Sequence, residues 1–264
     1  MSPGLLLSLA MLESVMTWAG VVDELDYAAR LVTWHEEHGD NISSEVINSL
    51  MKNKEAFLKS PATLSKAFYD NNEGTYSSCL NVQDFFLFFT KEHFDNMCLP
   101  SMIAIAVTQF YNVSEVTDNA RYRKEFWKEM SHKLSFIRRI CSSTHFGEKH
   151  INASVRFAEI IATILQGDNN IGNLFSKSDS SENSVEICLT HLPLALEAGF
   201  REALTEVVMK GGDAATNGLV SGAVYGAICG HRSLPPACIS NINKAFMQNL
   251  NKKLNLLFDL MGVP

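Results

Sequence analysis

Residues 211–216 combine residue types that could hold a metal ion beside a bound ligand. The segment reads GGDAAT. Two adjacent glycines let the backbone approach a ligand at a helix N-terminus, where carboxylate and hydroxyl oxygens can gather a hard cation. A second interpretation of the carboxylate, as the N-cap of the helix that begins near Ala215, stays open. The candidate metal ligands are Asp213 and Thr216, and the candidate ligand contacts are Gly211, Gly212 and Asn217.

Two polar residues upstream of this segment are His145 and Asn96. His145 follows Ser143 and Thr144 and stands just before a predicted helix, where capping or packing is the more common role of a histidine. Asn96 begins the stretch NMCLPS.

Other routes to catalysis find no support in the sequence. No Ser-His-Asp elbow, phosphate-binding loop or His-Glu-x-x-His motif is present. Acidic residues elsewhere could in principle supply a catalytic group, but carboxylates on amphipathic helices are mostly solvated or capping. The residues in question are Glu13, Asp23, Glu148 and Asp168.

The spacing of apolar residues predicts that the elements that position these residues are helices. Leu5, Leu9, Leu12, Val15 and Met16 recur at spacings of three and four and predict one core-facing stripe. The same pattern predicts further helices at 23–38, after Ser43 or Ser44, from Ser60-Pro61, at 119–139, at 152–165 and from Ile187 onward.

Three segments do not follow simple helical periodicity. Residues 102–110 are apolar on nearly every side and could be a buried strand, but the helical surroundings favour a helix. Residues 70–74 are turn formers and predict a loop that continues to Asn81, and the polar stretch at 177–184 predicts a surface loop. With roughly ten helices and no convincing strand, the sequence predicts an all-α fold.

Composition limits the kind of partner. The 264 residues are 46% hydrophobic with no long internal linker, which predicts a single domain over residues 1–264. A net charge of −7 argues against nucleic acid or an anionic membrane as partner, and no apolar run reaches the ~20 residues of a membrane span. The six scattered cysteines predict reduced, mostly buried thiols, and we expect a cytoplasmic protein.

The stretch Leu192–Pro235 carries a family resemblance. It reads LPLALEAG, then FREALTEVVMK, then GGDAATNGLVSGAVYGAICGHRSLP. This order resembles the closing motif of the ADP-ribosylglycohydrolase family, which includes the crystallin J1 proteins: a Leu-Pro helix, a Glu-Ala-Leu helix, a glycine pair with Asp-x-Asp-Thr, a glycine-rich helix and a terminal Leu-Pro. The Thr144-His145 pair and Asn96 are similar to two further segments of the family, and this resemblance implies that His145 and Asn96 are further candidates for ligand contact. The resemblance implies a compact multi-helix bundle.

The same resemblance implies a magnesium cofactor and makes its loss the main question. The family holds two magnesium ions with an early acidic motif and the late Asp-x-Asp-Thr, and the metals orient ribose hydroxyls for glycosidic hydrolysis. Here Asp213 and Thr216 match the late motif, but Ala215 stands in place of the second aspartate. The segment LSLAMLESV at 7–15 resembles the helix that follows the early motif, and that motif has no counterpart before it.

These departures lead to competing expectations. Magnesium demands near-octahedral oxygen coordination, so a site with one carboxylate and one hydroxyl should not support binuclear catalysis. We expect a degenerate family relative that binds an ADP-ribose-like small molecule or a protein partner. The alternatives are a magnesium-dependent hydrolase of ADP-ribosyl bonds and a crystallin-like structural protein. A truncated sequence would weaken the argument, and uncovered apolar surface could make the chain oligomeric.

Overall fold

The architecture is known from a computed structural model. It describes residues 2–39, 44–73, 95–108, 110, 127–167 and 183–262. The predicted loops at 74–81 and 177–182, the start of the predicted 119–139 helix, Asp168 and Cys79 lie outside these residues. Within the described ranges the secondary structure is helical and contains no strand, as an all-α fold requires.

The helices follow one another with short connections. Their bounds are α1 Pro3–Thr17, α2 Glu24–His38, α3 Glu45–Leu50, α4 Lys54–Lys59, α5 Pro61–Glu73, α6 at residues 102–108, α7 Trp127–Thr144, α8 Glu148–Leu165, α9 Ser184–Glu197, α10 Phe200–Met209, α11 Ala214–Cys229, α12 Pro236–Ser240 and α13 Lys244–Met261. Short 3-10 turns occupy Met51–Asn53, Asn96–Cys98 and His231–Ser233.

Helix α1 begins where the sequence places a cap and a proline. The Ser2 hydroxyl accepts a hydrogen bond from the Leu5 amide, and Pro3 occupies the first helical turn. Leu12 and Val15 of the predicted stripe lie in the core, but the buried face also includes Leu7 and Met11, which the stripe left out, and it does not include Leu5. The helix is apolar on most sides, so spacing alone could not decide which face turns inward.

The structure decides the predictions for residues 102–108 and 70–73. Residues 102–108 are helical, which confirms the choice of helix over strand for this apolar run. The predicted turn at residues 70–73 is wrong, because α5 continues through Glu73. An i,i+4 ion pair between Lys66 and Asp70 (2.5 Å) supports the last turns of that helix.

The C-terminal helices form a mutually packed unit. Helices α9, α10 and α11 contact one another, and α11 also contacts α8 and α1. Helix α11 packs closely at Gly218, where a Cβ would lie 3.3 Å from Val208. No described atom lies within 4 Å of such a position at Gly222 or Gly226, so these two glycines do not mark a close approach.

One hydrophobic cluster joins both ends of the chain. It extends from Leu7 in α1 to Leu257 in α13. Helix α13 lies against α1, and Lys253 forms an ion pair with Glu13 there. No described helix is both long enough and apolar enough to cross a lipid bilayer.

Candidate functional site

The glycine pair forms the turn between α10 and α11. Gly211 has φ +77° and Gly212 has φ +62°, a region that side-chain-bearing residues rarely adopt. Both glycines are exposed, and no described atom would meet a Cβ at either position within 4 Å. Glycine is therefore favoured at both positions by the positive φ angle, and not by close contacts with other atoms. The turn leaves the N-terminus of α11 open to solvent.

Asp213 is the N-cap of α11. Its Oδ1 accepts a hydrogen bond from the Thr216 amide at 3.2 Å, which is the capping geometry that the sequence left open as the second interpretation. The residue itself is exposed. The carboxylate already serves the helix, although an exposed oxygen can still face solvent.

The remaining positions of the candidate metal motif do not complete a magnesium site. Thr216 is buried, and its hydroxyl points at Met97 Sδ, 3.9 Å away. Ala215 presents only a methyl group. Among the described residues no cluster of three or more His, Cys, Asp or Glu side chains could hold a metal ion. Because magnesium requires about six oxygen ligands, Asp213 and Thr216 do not fit the family's cation.

Two of the predicted ligand contacts meet below this turn through a serine. Ser184, the first residue of α9, donates its hydroxyl proton to Asn217 Oδ1 at 2.6 Å. Its backbone amide donates to Asn96 Oδ1 at 2.8 Å. All three residues are buried, so the two asparagines join the 3-10 turn, α9 and α11 to one another. The sequence did not single out Ser184, since its partners are distant along the chain.

His145 also lies in this buried layer, paired with an aspartate that sequence analysis missed. Its Nε2 is 3.2 Å from Asp95 Oδ2, and Asp95 is the residue immediately before Asn96. The same carboxylate oxygen accepts a hydrogen bond from Ser44 at 2.6 Å, and Asp95 Oδ1 accepts one from the Met97 amide at 3.0 Å. No local motif marks Asp95, because its partners lie on α7 and beside α3.

This pairing sets the charge of the buried layer. Burial alone would raise the pKa of Asp95, but the His145 cation and the donors around the carboxylate hold it well below its usual range. Burial would lower the pKa of His145, and the Asp95 carboxylate outweighs it and raises that pKa. The pairing therefore favours the charged forms of both Asp95 and His145.

A second histidine completes the layer and stays neutral. The His150 ring centroid lies 5.3 Å from that of His145. Burial first, and then the His145 charge, lower the pKa of His150 to about 3. The other ring nitrogen of His145, Nδ1, contacts Thr144 Oγ1 at 2.8 Å. The ring of His145 is thus fully buried, with Nε2 in ion-pair contact with Asp95 and Nδ1 against Thr144.

The arrangement has two levels with different chemical capacities. The outer level, formed by Gly211, Gly212 and Asp213, is exposed and presents the amide groups of a helix N-terminus, which favour anions. The inner level contains the other predicted residues, Asn96, His145, Thr216 and Asn217, in contact with protein groups. Only the outer level offers direct contact to a ligand.

One protein-family model matches a part of the chain that includes the glycine turn and Asp213. The family model for ADP-ribosylglycohydrolase matches residues 180–263. This part of the chain is similar to the ADP-ribosylglycohydrolase family. The match confirms the resemblance that the sequence showed over α9 to α11, including the glycine turn and Asp213. Among curated proteins, none matches the chain.

The ADP-ribosylglycohydrolase match leaves part of the inner level outside its range. Ser184, Thr216 and Asn217 lie within residues 180–263, whereas Asn96 and His145 do not. Their hydrogen-bond partners nevertheless connect them to the matched segment through Ser184. The matched segment therefore packs onto residues that the family comparison does not cover.

Proposed function

We propose that this protein is a catalytically degenerate ADP-ribosylglycohydrolase-like protein that binds an ADP-ribose-type ligand without hydrolysing it. The ligand lies at the Gly211-Gly212 turn, with its phosphates at the N-terminus of α11. The protein needs no magnesium ion for this binding. The match of the family model over residues 180–263 supports the ligand class.

The observation that carries the loss of catalysis is the use of both remaining motif residues by the protein itself. Asp213 Oδ1 accepts the Thr216 amide, and the Thr216 side chain is buried against Met97. Ala215 supplies no oxygen. Metal-ion charge stabilisation typically contributes several kcal/mol to such reactions, so its loss removes most of the rate enhancement.

The open turn supports the binding half of the proposal. A phosphate is stabilised at a helix N-terminus by unpaired backbone amides and by the helix dipole. Positive φ at Gly211 and Gly212 exposes the backbone of the turn itself. Lys210, the exposed residue that caps the end of α10, adds a positive charge beside it. Asp213 opposes an anion there, so we expect weak binding.

Calorimetric titration of the full chain with ADP-ribose, with and without magnesium, tests this proposal. We expect binding in both conditions and a higher affinity for Asp213→Asn, which retains a good cap without the carboxylate that opposes the phosphate. Gly212→Val should abolish the heat of binding, because a β-branched residue is strained at positive φ. Gly222→Ala is the matched control, since that position is helical and open.

Three results would contradict the proposal. Magnesium-dependent binding that disappears in Asp213→Asn would mean that the carboxylate still holds a metal. Metal-dependent release of ADP-ribose from an ADP-ribosylated peptide by the unmodified chain would restore the hydrolase interpretation. Absence of heat in every condition would remove the ligand and leave a helical protein that acts through protein contacts.

A further inference from the structure

Helix α13 is attached to the rest of the protein by a narrow face. It spans Lys244–Met261, and Leu257 is the one residue of the helix that is buried. Helix α1 is the described element against which it packs most closely, and the Lys253–Glu13 ion pair lies in that contact. Helices in proteins gain most of their stability from packing an apolar face. Here most of the helix surface is open to solvent instead.

Two leucines form an apolar stripe on the open surface of α13. Leu256 is 55% exposed and Leu260 is 48% exposed. They are four residues apart, so one lies about one turn above the other on the same side of the helix. Phe258 is also exposed, but two residues turn it by about 200° away from Leu256. It does not belong to the stripe.

A lysine and an aspartate flank this stripe. Lys252 comes four residues before Leu256 and Asp259 three residues after it, and both are exposed. Seven residues make almost two full turns, so the two charges lie on the same side of the helix, about 10 Å apart along its axis. Neither forms an ion pair with another described residue, whereas the neighbouring Lys253 is paired with Glu13. The two charges are therefore available to a partner.

We propose that α13 packs against α13 of a second copy of this chain, antiparallel, about a two-fold axis between residues 255 and 256. In a two-fold interface each contact occurs twice, with the roles of the two copies exchanged. The proposed axis places Lys252 opposite Asp259 of the partner subunit, and Asp259 opposite Lys252 of the partner subunit. Leu256 lies at the axis and meets its own copy. This self-complementary arrangement of charges around an exposed apolar stripe carries the proposal.

The charges favour the antiparallel orientation over the parallel one. In a parallel pair each residue faces its own copy, so that Lys252 would face a lysine and Asp259 an aspartate. Like charges opposite each other repel, and such pairs decide the orientation of helices in coiled coils. The interface is separate from the glycine turn and independent of the ligand binding proposed there.

The size of the contact predicts a weak dimer. Stable protein interfaces bury about 1,200–2,000 Å² in total, and one helix from each copy is a small contact by that measure. We therefore expect a dimer whose fraction rises with protein concentration. Because exposed ion pairs are screened by salt, high ionic strength should weaken it.

Sedimentation velocity of the full chain over a range of concentrations tests the interface. We expect the unmodified chain to shift from monomer to dimer as its concentration rises, and to dissociate in high salt, a comparison that needs no variant. Leu256→Glu should weaken the dimer about tenfold or more, because it places a charge at the centre of the contact. Leu196→Glu is the matched control, since Leu196 is 51% exposed on α9. A chain that stays monomeric, or equal effects of the two substitutions, would overturn the proposal.

Exchange of the two charges tests the pairing. Lys252→Glu and Asp259→Lys each place like charges opposite each other and should each weaken the dimer about tenfold. The double variant restores both ion pairs with reversed sign and should recover the dimer. Single substitutions without effect, or a double variant that is no better than either single one, would contradict the reciprocal ion pairs.

A single introduced cysteine locates the axis. The test uses a chain with Cys238→Ser, which removes the exposed thiol of α12. Leu256→Cys should then form a disulfide-linked dimer under mild oxidation, because this position meets its own copy. Lys252→Cys should not, because the two copies of this position lie about 10 Å apart along the axis and a disulfide needs Cα atoms within about 7 Å. Equal cross-linking of the two variants, or preferential cross-linking of Lys252→Cys, would exclude this axis.

Discussion

The turn at residues 211–213 and the buried layer around Asp95 and His145 differ in solvent exposure and in the charge of their side chains. The turn contains the residues that resemble a metal motif, yet they are exposed and engaged in backbone geometry and capping. The buried layer carries the stronger electrostatics, centred on Asp95 and His145, and lies partly outside the family match. In this molecule the residues that resemble a catalytic motif are not the residues whose pKa values are strongly shifted. The two sets of residues can therefore be tested separately.

Removal of Asp95 should have the largest effect on this comparison. Asp95→Ala leaves the buried His145 without its counter-ion and the Ser44 hydroxyl without its acceptor. Loss of one partner of a buried ion pair typically costs about 3–5 kcal/mol of unfolding free energy. Chemical denaturation at pH 6 measures the loss.

The matched control for Asp95 is an exposed ion pair of the same kind. Glu36 contacts Lys54 at 2.8 Å, and both side chains are largely solvated. Glu36→Ala should change the unfolding free energy by less than about 1 kcal/mol. Equal effects of the two substitutions would show that the inner layer is no more important than the surface.

Because His150 stays neutral in the folded chain, the unfolding free energy should fall as the pH is lowered. A folded pKa of about 3 lies below the unfolded value, so the unfolded chain binds a proton that the folded chain does not as pH falls below about 6.5. Unfolding free energy should then drop by up to about 1.4 kcal/mol per pH unit between pH 6 and 4. His150→Phe should flatten this slope relative to the unmodified chain.

His145 should act in the opposite direction and in a different window. Its pKa is raised, so its contribution is complete below about pH 6.5 and is lost as pH rises through the folded value. Asp95 contributes to the unfolding free energy above its unfolded pKa and loses the contribution only in strong acid.

For His150, an unchanged pH slope of the unfolding free energy in His150→Phe would mean that His150 is protonated in the folded chain.

A smaller effect is expected where the two levels join. Ser184→Ala removes the donor to the buried Asn217 Oδ1 and keeps the backbone bond to Asn96. An unsatisfied buried acceptor costs about 1–3 kcal/mol, measurable by urea denaturation. Thr205, exposed on α10, offers a control as Thr205→Ala, which should be nearly neutral. Similar values for the two would contradict the proposed junction.

The smallest effect should come from the residue that most resembles a catalytic group. Asp213→Asn should leave the melting temperature nearly unchanged, because Asn and Asp are comparable N-caps. Asp213→Ala should cost about 1 kcal/mol through loss of the cap to Thr216. A much larger loss in Asp213→Asn, or a melting temperature that responds to magnesium only when Asp213 is present, would assign the carboxylate another role.

Local signals predicted the outer level because its geometry is local. The glycine pair, the cap at Asp213 and the helices on either side are fixed by residues within about one turn of one another, and the sequence already offered capping as an interpretation. The run at 102–108 was resolved by its helical neighbours. Local signals failed at residues 70–73, where turn-forming side chains continue a helix.

The inner level depends on pairs that no periodicity reveals. Asp95 meets Ser44 and His145 only after the chain has folded, and Ser184 meets Asn96 and Asn217 in the same way. His145 and Asn96 could be selected from the sequence as polar residues in suggestive places. Their partners could not, because the type and spacing of a residue say nothing about contacts across fifty or more positions.

The contact of α13 with α1 has a consequence for synthesis on the ribosome. Helix α13 packs against α1 and Lys253 pairs with Glu13, so that surface of α1 has no native cover until α13 has been made. At about 5–20 residues per second, α1 waits on the order of 10–50 s for its partner. During this interval the nascent chain exposes an apolar surface that a chaperone can bind.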